Sequence, residues 1–573
     1  MSNVLTHLEL ADQLLGVLPT RERIARSQKL PVHRTYLVRV DRTMPFEFIR
    51  NLMLPFCGLW GADVQFDFSD YDAALSQLGG DLQADAYLLW LDWRIYRESM
   101  TPLAAVQWLM ERIEQLRIGT DKTVLVNNWP ESMDHGDKMF GFRITSTDRG
   151  WIRRLNACLA DYIENTPGCE LVDLSNLAYG QHEAESFFDY RNEVASNYPF
   201  SNKATIMMAQ HLGVHLFPAV FTPRLKAIAL DLDDTLYSGV LGEDGSEGVK
   251  VTDGHKDLQK LLLKLKNSGI LLTICSRNEE NDVKALFESR EDFPLKWSDF
   301  AAVCANWEPK ADNLNTLAQL INIDSSAFLF VDDNTAELLK VASTLPEVHL
   351  LRANLDGRQT MNKICDFPGL YQIHPDGEAA SRTHDIQANQ QREKIRKDIS
   401  DYSTYLESLR MVVSIYENES SHSGRLYDLS HKTNQFNLAL RRMTEMEAQE
   451  VMDPDHYVTL TVRLTDLLSD SGIIGAFVCQ VEGPNARLIE MLFSCRALGR
   501  EVETVSFASL LEKLTVLGVE RLSVDCTEGP RNNPAIDWLR RFVTGIPENL
   551  PLPELLIDVR SACMKHPAIV EVI

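Results

Sequence analysis

The sequence predicts an α/β protein in three successive units: a parallel-sheet core in the middle, an α/β unit before it and an α+β unit after it. Three observations point there. From about Arg34 to Pro218, short apolar runs alternate with stretches of helical period. From Lys226 to about Leu351 the alternation sharpens, and IALD, ILLTIC, AAVC and AFLFVDD are each followed by a polar or charged helical stretch, as in a doubly wound parallel sheet. Beyond residue 401 several strands come consecutively before a helix, the order of an antiparallel sheet. A chain of 573 residues holds several such units at roughly 150 residues each. No internal repeat of about 20 to 50 residues is visible, so solenoids and propellers drop out.

Taken in order, the first unit spans 1–220, with strands AYLLWL (Ala86 to Leu91) and TVLVNN (Thr123 to Asn128) and a helix over Leu103 to Leu116. The second spans 221–375. In its first helix Leu258, Leu261, Leu262 and Leu265 share one face, which suits packing on a sheet. Residues 376–400, including QQREKIRK, are charged and nearly free of apolar residues, so they are expected to be a solvated helix joining two domains. The last unit spans 401–573, with strands at YVTLTVRL (from Tyr457), GIIGAFVCQVE (from Gly472) and ARLIEMLFS (from Ala486).

Composition removes several function classes. Acids outnumber bases 82 to 57, and the net charge of −25 repels polyphosphate, so nucleic acid is not the expected partner. Ten cysteines show no CxxC pair and the histidines are read as offering no zinc spacing, which disfavours a zinc site and a secreted disulfide framework. Glu9 and Asp12 interrupt any signal-peptide core, and no apolar run reaches about 18 residues. The expectation is a soluble, cytoplasmic protein with no membrane segment.

The chemistry is announced by LKAIALDLDDT (Leu225 to Thr235), where a buried strand runs into Asp231, Asp233 and Thr235. In an open α/β sheet ligands bind at the carboxyl ends of strands. A carboxylate at Asp231 can attack phosphorus, and Asp233 can protonate the leaving oxygen. Companions follow at later strand ends and helix starts. Ser276 follows ILLTIC and, with Thr235, offers a hydroxyl to phosphate; Lys310 opens a helix and supplies a positive charge for phosphate and aspartate; Asp332 and Asp333 end AFLFVDD and supply further metal-directed carboxylates. Like charges about 4 Å apart cost on the order of 4 kcal/mol at an effective dielectric near 20, so such a cluster needs a cation. Mg²⁺ is the hard, oxygen-seeking candidate, with Asp231, Asp233 and Asp332 as expected ligands.

The segments DLDDT, CSR, EPK and VDDN resemble the haloacid dehalogenase (HAD) superfamily of aspartyl phosphotransferases, whose core is Rossmann-like. LDLDDTLYSGVLGEDGSEGV, ICSRNEEN, NWEPKADN and FVDDNTAE look like its FkbH-like branch. SHKTNQFNLALRRMT and FSCRALGREVE resemble that branch's acetyltransferase-like (GNAT-like) tail, and the first unit resembles an SGNH-like domain in outline. The resemblance implies an enzyme that takes 1,3-bisphosphoglycerate, captures its glyceryl part as a thioester, removes phosphate and loads the phosphopantetheine arm of an acyl carrier protein for polyketide or related biosynthesis. Alternatives are a HAD phosphatase or transferase for another three-carbon acyl phosphate, and a non-enzymatic assembly-line scaffold.

Spacing bears on this reading. Between Asp231 and Ser276, and between Lys310 and Asp332, the chain is too short for a cap domain, so an open site that admits a protein-borne arm is expected. The thioester cysteine stays open between Cys275 and Cys495; alternation along the strand turns Cys275 towards the core if Ser276 faces phosphate, and Cys304 reads as buried packing. The chain departs from the family pattern at Asp234 (usually Asn), Tyr237-Ser238 (usually Trp-Gly), Thr335 (usually Pro) and Glu501 (usually Gly). A glutamate at 501 spoils a backbone cradle for pyrophosphate, which argues against CoA and for a pantetheine arm without its nucleotide. In the first unit Asp41-Arg42-Thr43 holds no serine where an SGNH hydrolase needs one, so this unit is expected to be a non-hydrolytic docking surface, with Asn127, Asn128 and Trp129 in a loop that hydrogen-bonds itself.

Overall fold

The computed structural model describes residues 2–573 apart from 73, 77, 79–82, 132–146, 180–186, 374–381, 400, 495, 496, 498, 544–548 and 565. Short leucine- and valine-rich runs that are buried on both faces form parallel strands, because helices cover each side of such a sheet. Strands β1 (Arg34–Arg42), β2 (Ala62–Tyr71), β3 (Ala86–Trp90), β4 (Val124–Asn127) and β5 (Cys169–Val172) lie in the order β2-β1-β3-β4-β5, all parallel. Asn127 closes this sheet's loop as expected: its Oδ1 accepts from the Leu91 N–H at 2.7 Å, and its Nδ2 donates to the Leu91 and Asn128 carbonyls at 2.9 Å.

The second sheet holds β6 (Ala227–Leu230), β7 (Leu271–Ser276), β8 (Phe300–Ala305), β9 (Phe328–Asp332) and β10 (His349–Arg352), in the order β10-β9-β6-β7-β8, again all parallel. The chain winds outward from β6 through β7 to β8, then returns to the other side of β6 for β9 and β10. Between β6 and β9 the winding therefore reverses, and the crevice at that reversal is where open α/β sheets hold ligands. Helices Asp253–Asn267, Glu280–Ser289, Lys310–Leu320 and Thr335–Thr344 connect successive strands. The only helix between β6 and Asp253 is Leu241–Gly248, and an isolated antiparallel bridge from Ser238 to Lys250 closes that segment, so no cap stands over the sheet there.

The third sheet contains β11 (Val412–Glu417), β12 (Phe436–Asn437), β13 (Tyr457–Thr465), β14 (Asp470–Glu482), β15 (Asn485–Phe493), β16 (Arg521–Val524), β17 (Leu550–Pro551) and β18 (Ile569–Val572). The order is β17-β16-β15-β14-β13-β11-β18, with β12 on β15. It is antiparallel through β11, β13, β14 and β15, as the consecutive strands foretold, but β15 with β16 and β11 with β18 run parallel.

One apolar core runs without a break from the first sheet into the second, taking in Trp90, Phe200, Leu230 and Leu370. The opposite face of the second sheet buries Ala227, Ala229, Cys275 and Cys304 with Leu8 and Ile386. Leu8 belongs to the first helix, Ser2–Leu14, whose Asp12 carboxylate takes hydrogen bonds from Arg352 and Lys363 beside β10. The third sheet has cores of its own.

Two expectations need correction. Of the charged stretch at 376–400, the described helix, Arg382–Asp398, is not solvated all round: it buries Asp385, Ile386 and Arg392. Gln387 and Gln390 bond carbonyls of Ser298, Phe300 and Ala301 on one side, and Arg392 grips Asp466 with two 2.8 Å bonds on the other. The face that carries Asp385 and Arg392 is there to pair, while Glu393, Lys394, Arg396 and Lys397 meet water. The apolar stretch Asn202–Phe221, passed over in the hydropathy reading, is long and apolar enough to cross a membrane by composition; 61% of it lies buried in the protein. It belongs to the first core, close enough to its neighbour that a Cβ on Gly213 would stand 2.6 Å from the Phe56 Cβ.

Candidate active site

Four strands deliver the site. Asp231 extends β6 by one residue, its N–H donating to the Val331 carbonyl of β9 at 2.9 Å, so its side chain enters the crevice at the reversal of winding. Ser276 ends β7 and donates through Oγ to Asp231 Oδ1 at 2.7 Å. Lys310 follows β8 at the start of its helix, and its Nζ stands 3.0 Å from the same Asp231 oxygen and 2.5 Å from Asp332 Oδ2. Asp332 ends β9, and its Oδ1 accepts the Asn334 N–H at 2.8 Å. Asp231, Ser276, Lys310 and Asp332 are all buried. Residues as much as 101 positions apart in the chain thus meet because parallel strands bring every carboxyl end to one edge.

The charges there do not balance. Carboxylate oxygens of Asp231, Asp332 and Asp333 lie within 4.8 Å of one another, against the single ammonium of Lys310. At that separation each pair of anions repels by roughly 3 kcal/mol at an effective dielectric near 20. Burial pushes the Asp231 carboxyl up to about 6; Lys310 opposes the rise and Asp332 adds to it. Asp332 and Asp333 are also held above the ordinary carboxylate value, in each case chiefly by burial. For Lys310 burial acts downward, but Asp231 and Asp332 outweigh it and keep the ammonium charged. Three hard oxygen donors with unspent negative charge fit Mg²⁺.

Asp233 does not join this cluster, contrary to its expected place as a metal ligand; Asp333 stands there instead. The reason is local. The chain turns sharply after β6, with Asp234 at φ 51° and its Oδ1 accepting the Gly239 N–H at 2.9 Å. Around this turn the Asp233 carboxylate meets the Tyr237 hydroxyl at 2.7 Å and the Leu241 N–H at 3.0 Å on Oδ1, and Asn278 Nδ2 at 3.1 Å on Oδ2. Asn278 also donates to Ser276 Oγ at 3.1 Å, so it ties Asp233 to the phosphate-directed hydroxyl. Neither Asn278 nor Tyr237 was singled out as a site residue in the sequence reading. Asn278 stands two residues past Ser276 on the same loop, and that spacing was the available signal. Thr235 is fully buried, and its Oγ1 has no hydrogen-bond partner, which marks a hydroxyl kept for something other than packing.

Cys275 is not at the site. Alternation along β7 turns it to the opposite face from Ser276, where it is buried beside Cys304 and its thiol donates to the Lys310 carbonyl at 3.7 Å. Burial holds that thiol far above its ordinary range, which disfavours the thiolate. Cys495 and Arg496 lie outside the described residues. Glu501 adopts the left-handed region that favours glycine, φ 54°, directly before helix Val502–Val516. Arg500 is turned inward onto Asp466 at 2.7 Å and is 2% exposed, away from any phosphate in solvent. The histidine reading also needs amending, since His211 and His215 stand four apart on one helix. Their Nδ1 atoms bond each other at 3.1 Å and His215 Nε2 donates to the Cys365 carbonyl, so this pair is spent on structure.

Neither a family model nor a curated protein matches the chain. Among solved structures, it is similar to the N-terminal part of the protein BF1531 from Bacteroides fragilis, described as containing a phosphatase domain complexed with Mg. That likeness has a TM-score of 0.50 and 22% identity over 59% of this chain and 94% of that one. The shared share is larger than the second sheet and its helices supply, so the common fold extends beyond that layer. The ribosomal-protein-S18-alanine N-acetyltransferase from Escherichia coli aligns at 15% identity over 22% of this chain and 75% of its own, with a TM-score of 0.19. A candidate HAD-like phosphatase from Mesorhizobium loti aligns at 14% identity over 26% and 90%, with a TM-score of 0.18. Scores that low establish no shared fold.

Proposed function

We propose that the protein is a Mg²⁺-dependent phosphatase and acyl transferase of the HAD type, with Asp231 as its nucleophile. The observation that carries this is the convergence of the Ser276 hydroxyl and the Lys310 ammonium on one oxygen of a buried aspartate at the reversal of the sheet. Those two donors occupy Oδ1 and leave Oδ2 of Asp231 without a hydrogen bond. That oxygen attacks phosphorus, the ester P–O bond breaks, and Asp233 gives its proton to the departing alkoxide. Water then attacks the aspartyl phosphate, returns a proton to Asp233 and frees inorganic phosphate and Asp231. Ser276, Lys310 and Thr235 hold the phosphoryl oxygens. Asp231, Asp332 and Asp333 would hold Mg²⁺, which would supply charge neutralisation at the site.

The finer reading rests on the FkbH-like motifs. The substrate is 1,3-bisphosphoglycerate. A cysteine thiolate displaces its acyl phosphate to form a glyceryl thioester, the Asp231 site removes the remaining phosphate, and the thiol of a carrier's phosphopantetheine takes the glyceryl group by thioester exchange. The net charge of −25 argues against a nucleic-acid partner, and the reading is of a cytoplasmic enzyme with no membrane partner. Incubation with 1,3-bisphosphoglycerate, Mg²⁺ and a pantetheinylated carrier, followed by intact-mass measurement, tests it. A glyceryl adduct on the carrier is expected. Phosphate release at a rate that ignores the carrier, with no adduct, would replace it with a plain phosphatase.

A further inference from the structure

The Asp233 carboxylate is held on both oxygens, and the two are not held alike. A carboxylate oxygen has two lone pairs. Both on Oδ1 are taken, by the Tyr237 hydroxyl at 2.7 Å and the Leu241 N–H at 3.0 Å. Oδ2 receives one donor, Asn278 Nδ2, which also reaches Ser276 Oγ. One lone pair of Oδ2 is therefore open, on the side of the residues that hold phosphate.

Tyr237 is built to enforce this. Its ring is fully buried and packs on Phe293 with centroids 6.0 Å apart, which holds the hydroxyl beside Asp233. Burial first, and the neighbouring Asp233 next, keep the phenol protonated and hence a donor. Where the family pattern carries tryptophan, this chain places a hydroxyl four residues beyond the carboxylate, across the turn at Asp234.

We infer that Tyr237 is a positioning residue that saturates Oδ1 of Asp233, so that Oδ2 alone exchanges protons with the leaving oxygen and the site is specialised for substrates whose leaving alkoxide must be protonated. This rests on Asp233 acting as the acid proposed above. A phosphate monoester of an alcohol needs that proton; one of p-nitrophenol does not, because the phenolate departs unaided.

Steady-state kinetics of the Mg²⁺-loaded enzyme on glycerol 3-phosphate and p-nitrophenyl phosphate tests the inference, with Asp233→Asn as reference and thermal melting to certify the fold. Tyr237→Phe keeps the ring and removes only the hydroxyl. It is expected to lower kcat/KM on glycerol 3-phosphate, which reads phosphoryl transfer to Asp231 and not the later hydrolysis, by roughly tenfold, and the loss of kcat/KM on p-nitrophenyl phosphate should be at least fivefold smaller. Equal losses on both esters, or none, in Tyr237→Phe would overturn the positioning role while leaving the acid in place. An Asp233→Asn enzyme that loses both esters equally would instead remove the acid itself, and the inference with it.

Discussion

Two buried clusters of charge sit in this molecule, and they solve opposite problems. At the carboxyl edge of the second sheet, Asp231, Asp332 and Asp333 crowd around Lys310 alone. Between helix Arg382–Asp398 and the third sheet, Asp466 receives both Arg392 and Arg500, each at 2.7–2.8 Å, together with the N–H groups of Leu468 and Ser469. Ser469 and Ser471 carry the network on to Asp385. Burial acts upward on both central aspartates. It wins at Asp231, whereas at Asp466 the two guanidiniums overcome it and hold the carboxyl below its ordinary value. A cluster with its charges satisfied is part of the scaffold; one left short of cations is kept ready for a ligand.

The widest break between the two should come from neutralising each aspartate. Asp231→Asn is expected to abolish phosphate release, by roughly 10³-fold or more in kcat. The same change removes an anion from an over-crowded site, so the metal-free protein should gain on the order of 2 kcal/mol at pH 7, read from urea unfolding. Asp466→Ala should do the reverse. It strands two buried guanidiniums and should cost about 3–5 kcal/mol of stability. Loss of stability in the first variant, or none in the second, would erase the distinction.

A smaller effect separates the clusters by pH. The folded Asp231 carboxyl titrates near 6 and its unfolded counterpart near 3.8, so between these values the folded state binds more protons. Metal-free stability from this group is therefore fully present below 3.8 and is lost as pH rises through 6, by up to about 2–3 kcal/mol. Asp466 has the opposite sign: its contribution is present above 3.8 and is lost only as pH falls below that. Unfolding in EDTA at pH 4.5 and 6.5 should show a difference between wild type and Asp231→Asn that shrinks on acidification. Mg²⁺ binding, followed by calorimetry, should weaken over that same interval because it competes with protons for Asp231.

The sequence alone determined which residues would share an edge. Asp231, Ser276, Lys310 and Asp332 each follow an apolar run of strand length, and once those strands are parallel their ends can only converge; periodicity along the chain is a local property and is legible locally. Side-chain alternation likewise separated Ser276 from Cys275. What happens within a turn or across the chain was out of reach. The direction of the Asp233 carboxylate goes with a left-handed Asp234 and a buried Tyr237, neither of which a local pattern announces. The charged helix Arg382–Asp398 reads as solvated because its partner, Asp466, lies 74 residues beyond Arg392, and no local pattern announces a buried ion pair. Tertiary structure decided these points, since a polar side chain's energy is set by the partner that replaces water, and that partner is known only when the chain has folded.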